Sequence, residues 1–257
     1  MAYRKVDDTS LASVADAIRA KGGTSEQLVF PDGFVSAIGD IQTGGGESSG
    51  IPSQYTRVEY LESHGTEYID TGITLKNLAI AEFAVMVMDK SAFSGCGVAG
   101  VNTSDVPYAS LAHYYAGAGT KWYIPGNYFM RNGNYSLTST VSLAENTKQE
   151  FLVEMPFGRY GCFTVDGAKQ LTSYTGRSSL DDTTPITIFA LNSEGDKLCA
   201  PFRLYKFRML DQGYNVIRDF IPCKVKATGE AGLYDMVSKR FFRNGGSGAF
   251  TAGDEVT

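Results

Sequence analysis

The sequence predicts a mainly β protein, an antiparallel sandwich preceded by a small helical segment, and three observations carry that reading. Glycine occurs 29 times beside 15 Tyr and 15 Phe, a mixture suited to strands joined by tight turns. From Tyr55 onward, short strand-like runs recur between turn residues. No convincing helix separates them, so nothing is available to cover the faces of a parallel sheet.

The chain opens with a helical pattern. In DTSLASVADAIRAKG, residues 8–22, Leu11, Val14 and Ile18 fall at helical spacing, with Asp8, Thr9 or Ser10 as caps and Gly22 as the stop. A turn at Pro31–Gly33 then leads into a second short helical stretch carrying Phe34, Val35, Ile38 and Ile41. Helices this short cannot bury their apolar faces alone, so residues 1–42 read as an anchoring or oligomerising segment using Leu11, Val14, Ile18, Phe34 and Ile38. A homo-oligomer is expected, with a trimer as the closed form. Residues 43–50, TGGGESSG, have the composition of a flexible tether, which leaves residues 51–257 as the β domain.

Within that domain TRVEYLES alternates from Thr56, EYIDTGI follows a glycine turn, and LAIAEFAVMVM (residues 78–88) reads as a strand covered on both faces. EFLVEM, YGCFTVDGAKQL, PITIFALN, FRLYKFRML and NVIRDFIPC follow, and Asp166-Gly167 marks a hairpin. The closing block, RDFIPCKVKATGEAGLYDMVSKRFFRNGGSGAF, supplies two late strands and turns. Phe220, Ile221, Leu233, Phe241 and Phe242 should face the core while Lys239, Arg240 and Arg243 stay solvated, and the chain's end should return to its beginning.

Composition limits the function. A formal charge of −5 with scattered Lys and Arg offers no basic stripe for nucleic acid. No run approaches membrane-spanning length, and MAYRKVDDTS lacks the apolar stretch of a secretory signal. Cys96, Cys162, Cys199 and Cys223 are far apart with no C-x-x-C, and buried free thiols are the expectation.

Three stretches, YTRVEYLESHGTEYIDTGI, FRLYKFRMLDQGYNVIRDFIPC and GLYDMVSKRFFRNGGSGAF, resemble the concanavalin A-like (laminin G-like) jelly-roll modules of gut bacterial and phage proteins. The head, SLASVADAIRAKGGTSEQLVFPDGFVSAIGDI, is similar to a segment that recurs in phage tail and other virion proteins. Together the resemblances imply a virion component with a lectin-like tip, made in the host cytoplasm and held to other virion proteins by its head.

Glucan-cleaving relatives carry E-x-D-x-x-E along one strand, because one carboxylic acid must protonate the leaving oxygen while another attacks or activates water. That pattern is absent. Glu194 with Asp196, and Asp181 with Asp182, sit in turn-like contexts, and His64 beside Glu62 or Glu67 reads as part of a turn. Nucleophile-elbow, phosphate-loop and H-E-x-x-H motifs are missing too, so the chain reads as non-enzymatic, without a cofactor. Calcium, which such relatives hold on loops, has weak candidates in Asn102, Asp105, Asp181 and Asp182.

The stronger binding candidate is residues 108–135, YASLAHYYAGAGTKWYIPGNYFMRNGNY. Tyr108, His113, Tyr114, Tyr115, Trp122, Tyr123, Tyr128 and Arg131 combine aromatic faces with polar neighbours, as a sugar's C–H face and hydroxyl rim require. The competing reading makes HYY and KWYI central strands that alternate into the core. The expected functions are host-glycan attachment, a structural virion role without a ligand, and, third, glycan hydrolysis.

Overall fold

The computed structural model describes residues 11–16, 51–93, 96–101, 109–112, 121–124, 137–154, 162–171, 184–193 and 196–256. The chain divides into two compact units, Met1–Gly50 and Ile51–Thr257. In the first, residues 11–16 are helical, with Ala15 buried, Leu11 half-buried and Val14 exposed. Ile18, Phe34 and Ile38 lie outside the described residues.

The second unit is mainly strand. In chain order these are β1 (Tyr55–Arg57), β2 (Leu61–Glu62), β3 (Ile69–Thr74), β4 (Ile80–Met86), β5 (Ala99–Val101), β6 (Ala109–Ser110), β7 (Lys121–Ile124), β8 (Leu137–Ser142), β9 (Gln149–Glu154) and β10 (Cys162–Val165). They continue with β11 (Ala168–Leu171), β12 (Pro185–Ile188), β13 (Ala190–Ser193), β14 (Asp196–Cys199), β15 (Arg203–Leu210), β16 (Val216–Val225), β17 (Ala231–Asp235), β18 (Arg240–Phe242) and β19 (Thr251–Ala252). A large sheet runs β11-β10-β9-β4-β15-β16-β17-β18, with β1 on β16, β2 on β15 and β19 on β2. A smaller sheet runs β14-β13-β5-β12-β3 with β6 on β5, and β7 pairs with β8. Among these pairs only β5 with β13 is parallel. The result is an antiparallel, jelly-roll-like sandwich.

The core is set by alternation. Phe151, Phe83, Phe207 and Phe220 lie opposite one another on β9, β4, β15 and β16. Phe83 stacks on Phe151 at 4.9 Å and on Phe207 at 5.4 Å, and Phe220 meets Phe242 of β18 edge to face at 5.1 Å. This phenylalanine ladder joins Ile69, Val98, Ile186 and Ile188 of the small sheet in one buried cluster. Arg218 ties the sheets at one end: its Nε donates to the Thr71 carbonyl of β3 at 3.0 Å and lies 3.7 Å from the Asp235 carboxylate of β17.

Several expected runs are broken. PITIFALN is two strands, because Phe189 adopts a left-handed φ of 66°. Its amide donates to the Val98 carbonyl, so β12 lies on one side of β5 and β13 on the other. Such a backbone is strained for an aromatic residue, and it is held by complete burial, by stacking on Phe202 at 4.6 Å and by a tilted contact with Phe250 at 4.8 Å. TRVEYLES is likewise β1 and β2, with Val58 bridging to Glu255. KWYI is not a central strand: as β7 it pairs with β8, outside both main sheets.

Asp166-Gly167 forms the expected hairpin, with φ of 48° and 78°. In the closing block Phe220 and Leu233 are buried, whereas Ile221, Phe241 and Phe242 are half-buried. Phe241 turns to the other face and stacks on Tyr55. Lys239, Arg240 and Arg243 are exposed or partly so, with Arg243 paired to Glu230. The chain's end returns to the start of this second unit: β19 pairs β2, and Gly253 N–H donates to the Tyr60 carbonyl.

That return is organised by a buried carboxylate. Glu67, 2% exposed, accepts from the His64 and Thr66 amides at 2.8 and 3.2 Å and from the Ser63 and Thr66 hydroxyls at 3.1 and 3.0 Å. Burial alone would raise its pKa, but these four donors hold it below the usual glutamate value. The NGGSG stretch lies over this turn. Asn244 Oδ1 accepts from the Tyr68 amide, and a Cβ at Gly246 or Gly248 would sit 1.9 Å from Thr66 O or Glu67 Oε1.

Two outcomes are expected. Phe83→Ala should lower unfolding free energy by about 3–5 kcal/mol in urea titrations, as loss of a fully packed aromatic side chain does. Because the Glu67 pKa is depressed by folding, its contribution is complete above the usual glutamate range and is lost as pH falls through the lower folded value. Glu67→Gln should therefore flatten the acid limb of the stability profile, and an unchanged limb would refute the assignment.

Candidate functional site

Most of the aromatic segment singled out in the sequence, including Tyr108, His113, Tyr114, Tyr115, Tyr128 and Arg131, lies outside the described residues, as do Asn102, Asp105, Asp181 and Asp182. Trp122 and Tyr123 are placed by their backbone in β7. Its partner β8 packs beside β10 and β11. Among the described residues no group of three or more His, Cys, Asp or Glu side chains could hold a metal ion.

His64 belongs to the Glu67 turn, to which its amide donates. Its ring is half exposed, with Nε2 3.4 Å from Thr251 Oγ1 and 3.9 Å from Glu62, and Nδ1 3.8 Å from Glu67. Asp196 opens β14 opposite Ser193.

The described residues instead converge on the outer face of the large sheet. Each phenylalanine of the inner ladder has a neighbour in sequence that must point the opposite way. Those neighbours form a second ladder in register: Thr164 of β10 opposite Leu152 of β9, Leu152 opposite Glu82 of β4, Glu82 opposite Arg208 of β15, and Arg208 opposite Asp219 of β16. With strands about 4.8 Å apart, this row spans about 19 Å. Two residues along, on the same face, Glu150, Ala84 and Lys206 form a parallel row. Glu82, Glu150, Leu152, Thr164, Gly167 and Lys206 line an open cavity of about 260 Å³. LAIAEFAVMVM is therefore not covered by another layer on both faces among the described residues: Glu82 and Met86 are half-buried on the outer one.

A β-bulge extends this surface. Register shifts between Leu204 and Lys206, so Tyr205 is the extra residue, and a bulge of this kind re-aims a side chain. Tyr205 and Lys206 consequently both serve the outer face. The Tyr205 hydroxyl reaches Met86 Sδ at 3.8 Å, its ring lies 5.6 Å from Tyr60, and Lys148 Nζ stands 5.1 Å over it. Burial, with the Glu59 charge, raises the Tyr205 pKa, keeping the hydroxyl a donor. Arg203 lies over the Tyr60 ring at 4.3 Å and donates to Glu62 at 2.5 Å.

Charges on this face are paired, across strands for Arg208 and Lys206 and within one stretch for Lys148. Arg208 reaches Glu82 at 3.4 Å, Lys206 reaches Glu150 at 3.4 Å and Lys148 reaches it at 3.8 Å. Burial pushes the Asp219 carboxyl up, opposed by Arg208 and reinforced by Asp235 and Glu82. Asp166, at the hairpin tip, accepts from the Glu150 amide at 2.7 Å and from Gln149 Nε2 at 3.1 Å, which fixes the floor beside the cavity. The arrangement offers hydroxyl, carboxylate and ammonium groups next to half-buried rings, a surface suited to polyhydroxylated ligands.

Cys96, Cys199 and Cys223 are free thiols; only Cys223 is fully buried, and burial pushes its pKa up to about 12. Cys96 donates to the Cys199 carbonyl at 3.6 Å. Alkylation of the native protein followed by peptide mass spectrometry should leave Cys223 unmodified. Labelling at the rate of an open thiol would show that β1, β16 and β17 do not cover it.

No family model matches the chain, and no curated protein matches it in sequence. In structure the chain is similar to a putative carbohydrate binding protein from Bacteroides ovatus, with a TM-score of 0.50 and 11% identity over 78% of this chain and 62% of that one. The chain thus spans less than two thirds of that protein's length, and at this identity the likeness is one of fold.

Proposed function

We propose that residues 51–257 form a non-enzymatic glycan-binding module, and that the protein is a virion component whose head, residues 1–42, anchors an oligomer while the module attaches to a host-surface glycan. The observation that carries the binding reading is the outer-face cavity to which four strands and the Gly167 hairpin contribute polar and apolar groups, next in sequence on β15 to the Tyr205 bulge. The carbohydrate binding description of the structural neighbour supports the same ligand class. The virion assignment rests on the sequence resemblance of the head. The segment containing Trp122 and Tyr123 is assigned to the ligand surface as well, on its aromatic and polar composition; its partner strand β8 packs beside β10 and β11.

Cleavage is disfavoured by the chemistry of the cavity. Glu82 and Glu150 are both committed to cations, whereas glycoside hydrolysis needs one carboxyl group free to hand a proton to the leaving oxygen.

A glycan array probed with the whole protein tests the reading. Binding should fall by about tenfold or more in Tyr205→Ala, the loss expected for one aromatic contact, with the melting temperature little changed. Trp122→Ala should weaken binding similarly. Absence of binding to any glycan would favour a structural virion role, and steady release of reducing ends would identify a hydrolase.

A further inference from the structure

We propose that the ligand of the outer-face cavity is a neutral glycan, one without carboxylate, sulfate or phosphate groups; this rests on the glycan-binding reading above. The cavity contains both signs of charge, yet no excess of either. Each lining carboxylate is answered by a cation: Glu82 by Arg208 of the neighbouring strand β15, and Glu150 by Lys206, reaching across β4, and by Lys148, two residues before it in sequence. At the aromatic end Arg203 is taken up by Glu62 and by the Tyr60 ring. Beyond Arg208 stands the carboxyl of Asp219, directly across from it.

An anionic sugar entering this surface would have to take a cation from its carboxylate, leaving that carboxylate uncompensated beside the ligand's own charge. Exclusion by an unpaired like charge is how binding sites discriminate among otherwise similar ligands. A neutral sugar meets no such conflict. Its hydroxyls donate to carboxylate oxygens and accept from ammonium and guanidinium groups while the ion pairs stay in place. The half-buried ring of Tyr205, with Lys148 over it, adds carbon surface next to the charged rows that a C–H face can meet. Leu152 in the first row puts a half-buried apolar side chain among the charges, and Ala84 in the second is fully buried beneath them.

The ion pairs are partly exposed, with side-chain exposures of 38–56% for Glu82, Arg208, Glu150, Lys206 and Lys148. Exposed pairs contribute little to stability, so they can be altered without unfolding the domain. Specificity is therefore separable from folding.

Native affinity electrophoresis of the whole protein tests the proposal, with a neutral series (a β-glucan, a mannan and a galactan) against an acidic series (polygalacturonate and a sulfated galactan). Retardation by at least one neutral polymer, little changed between low and high salt, and at least about tenfold weaker retention by the acidic polymers, is the expected result. Equal or preferential retention by an acidic polymer overturns this inference and leaves glycan binding standing. No retention by any polymer overturns both. The double variant Glu82→Gln, Glu150→Gln removes the counter-charges of Arg208, Lys206 and Lys148 and should gain salt-sensitive retention by the acidic polymers. If a folded double variant gains none, pairing is not what excludes anions and the proposal fails.

Discussion

The register that aligns Phe151, Phe83, Phe207 and Phe220 across four strands governs both faces of the large sheet. Side chains alternate with a period of two, so a slip of one residue would expose the phenylalanines and bury the charged row. The core therefore sets the site: Leu152, Glu82, Arg208 and Asp219 are aligned because the rings behind them are. A polar surface spanning five strands needs no dedicated scaffold when the hydrophobic side already fixes its spacing. The Tyr205 bulge is a local exception within this frame, and it adds a ring where strict alternation would have hidden one.

Other groups that invite a chemical reading serve the frame instead. Glu67 gathers four donors to close the turn after β2. Asp235, fully buried, accepts from the Asp219, Val237 and Ser238 amides at 2.8–3.1 Å and from the Ser238 hydroxyl at 2.6 Å. Buried carboxylates of this kind are tolerated because each lone pair is answered. His64 and the glycines of NGGSG belong to the same closure, in which the absence of side chains at Gly246 and Gly248 lets one strand end lie against another.

Much of the fold was legible because local patterns and long-range structure agree. Alternation in FRLYKFRML and NVIRDFIPC, and the Asp166-Gly167 turn, require only neighbouring residues to be read. Phe189 and Tyr205 were not legible, since a left-handed aromatic and a bulged strand are imposed by packing from distant segments. The outer-face site was hidden for a related reason. Glu82, Glu150 and Lys206 come from strands far apart in sequence and meet only once pairing is known. One local sign was present: Glu82 is a lone charge inside the apolar run LAIAEFAVMVM, and such a residue needs an open face or a partner. Residues 108–135 combine aromatic rings with polar neighbours, as a sugar-binding surface does, but composition alone does not distinguish a ring in the core from one at the surface.

The passage of the chain around β5 bears on how the protein comes apart. One short segment pairs with β5 twice, antiparallel through β12 and parallel through β13, with Phe189 alone between the two pairings, and β6 pairs with β5 as well. Separating β5 from both of these pairings requires Phe189 to leave its place between Phe202 and Phe250. Dissolution of the small sheet is thereby coupled to rupture of the aromatic core, an arrangement that favours slow loss of the native state over gradual fraying. Persistence in time, rather than depth of the free-energy minimum, is what this crossing confers.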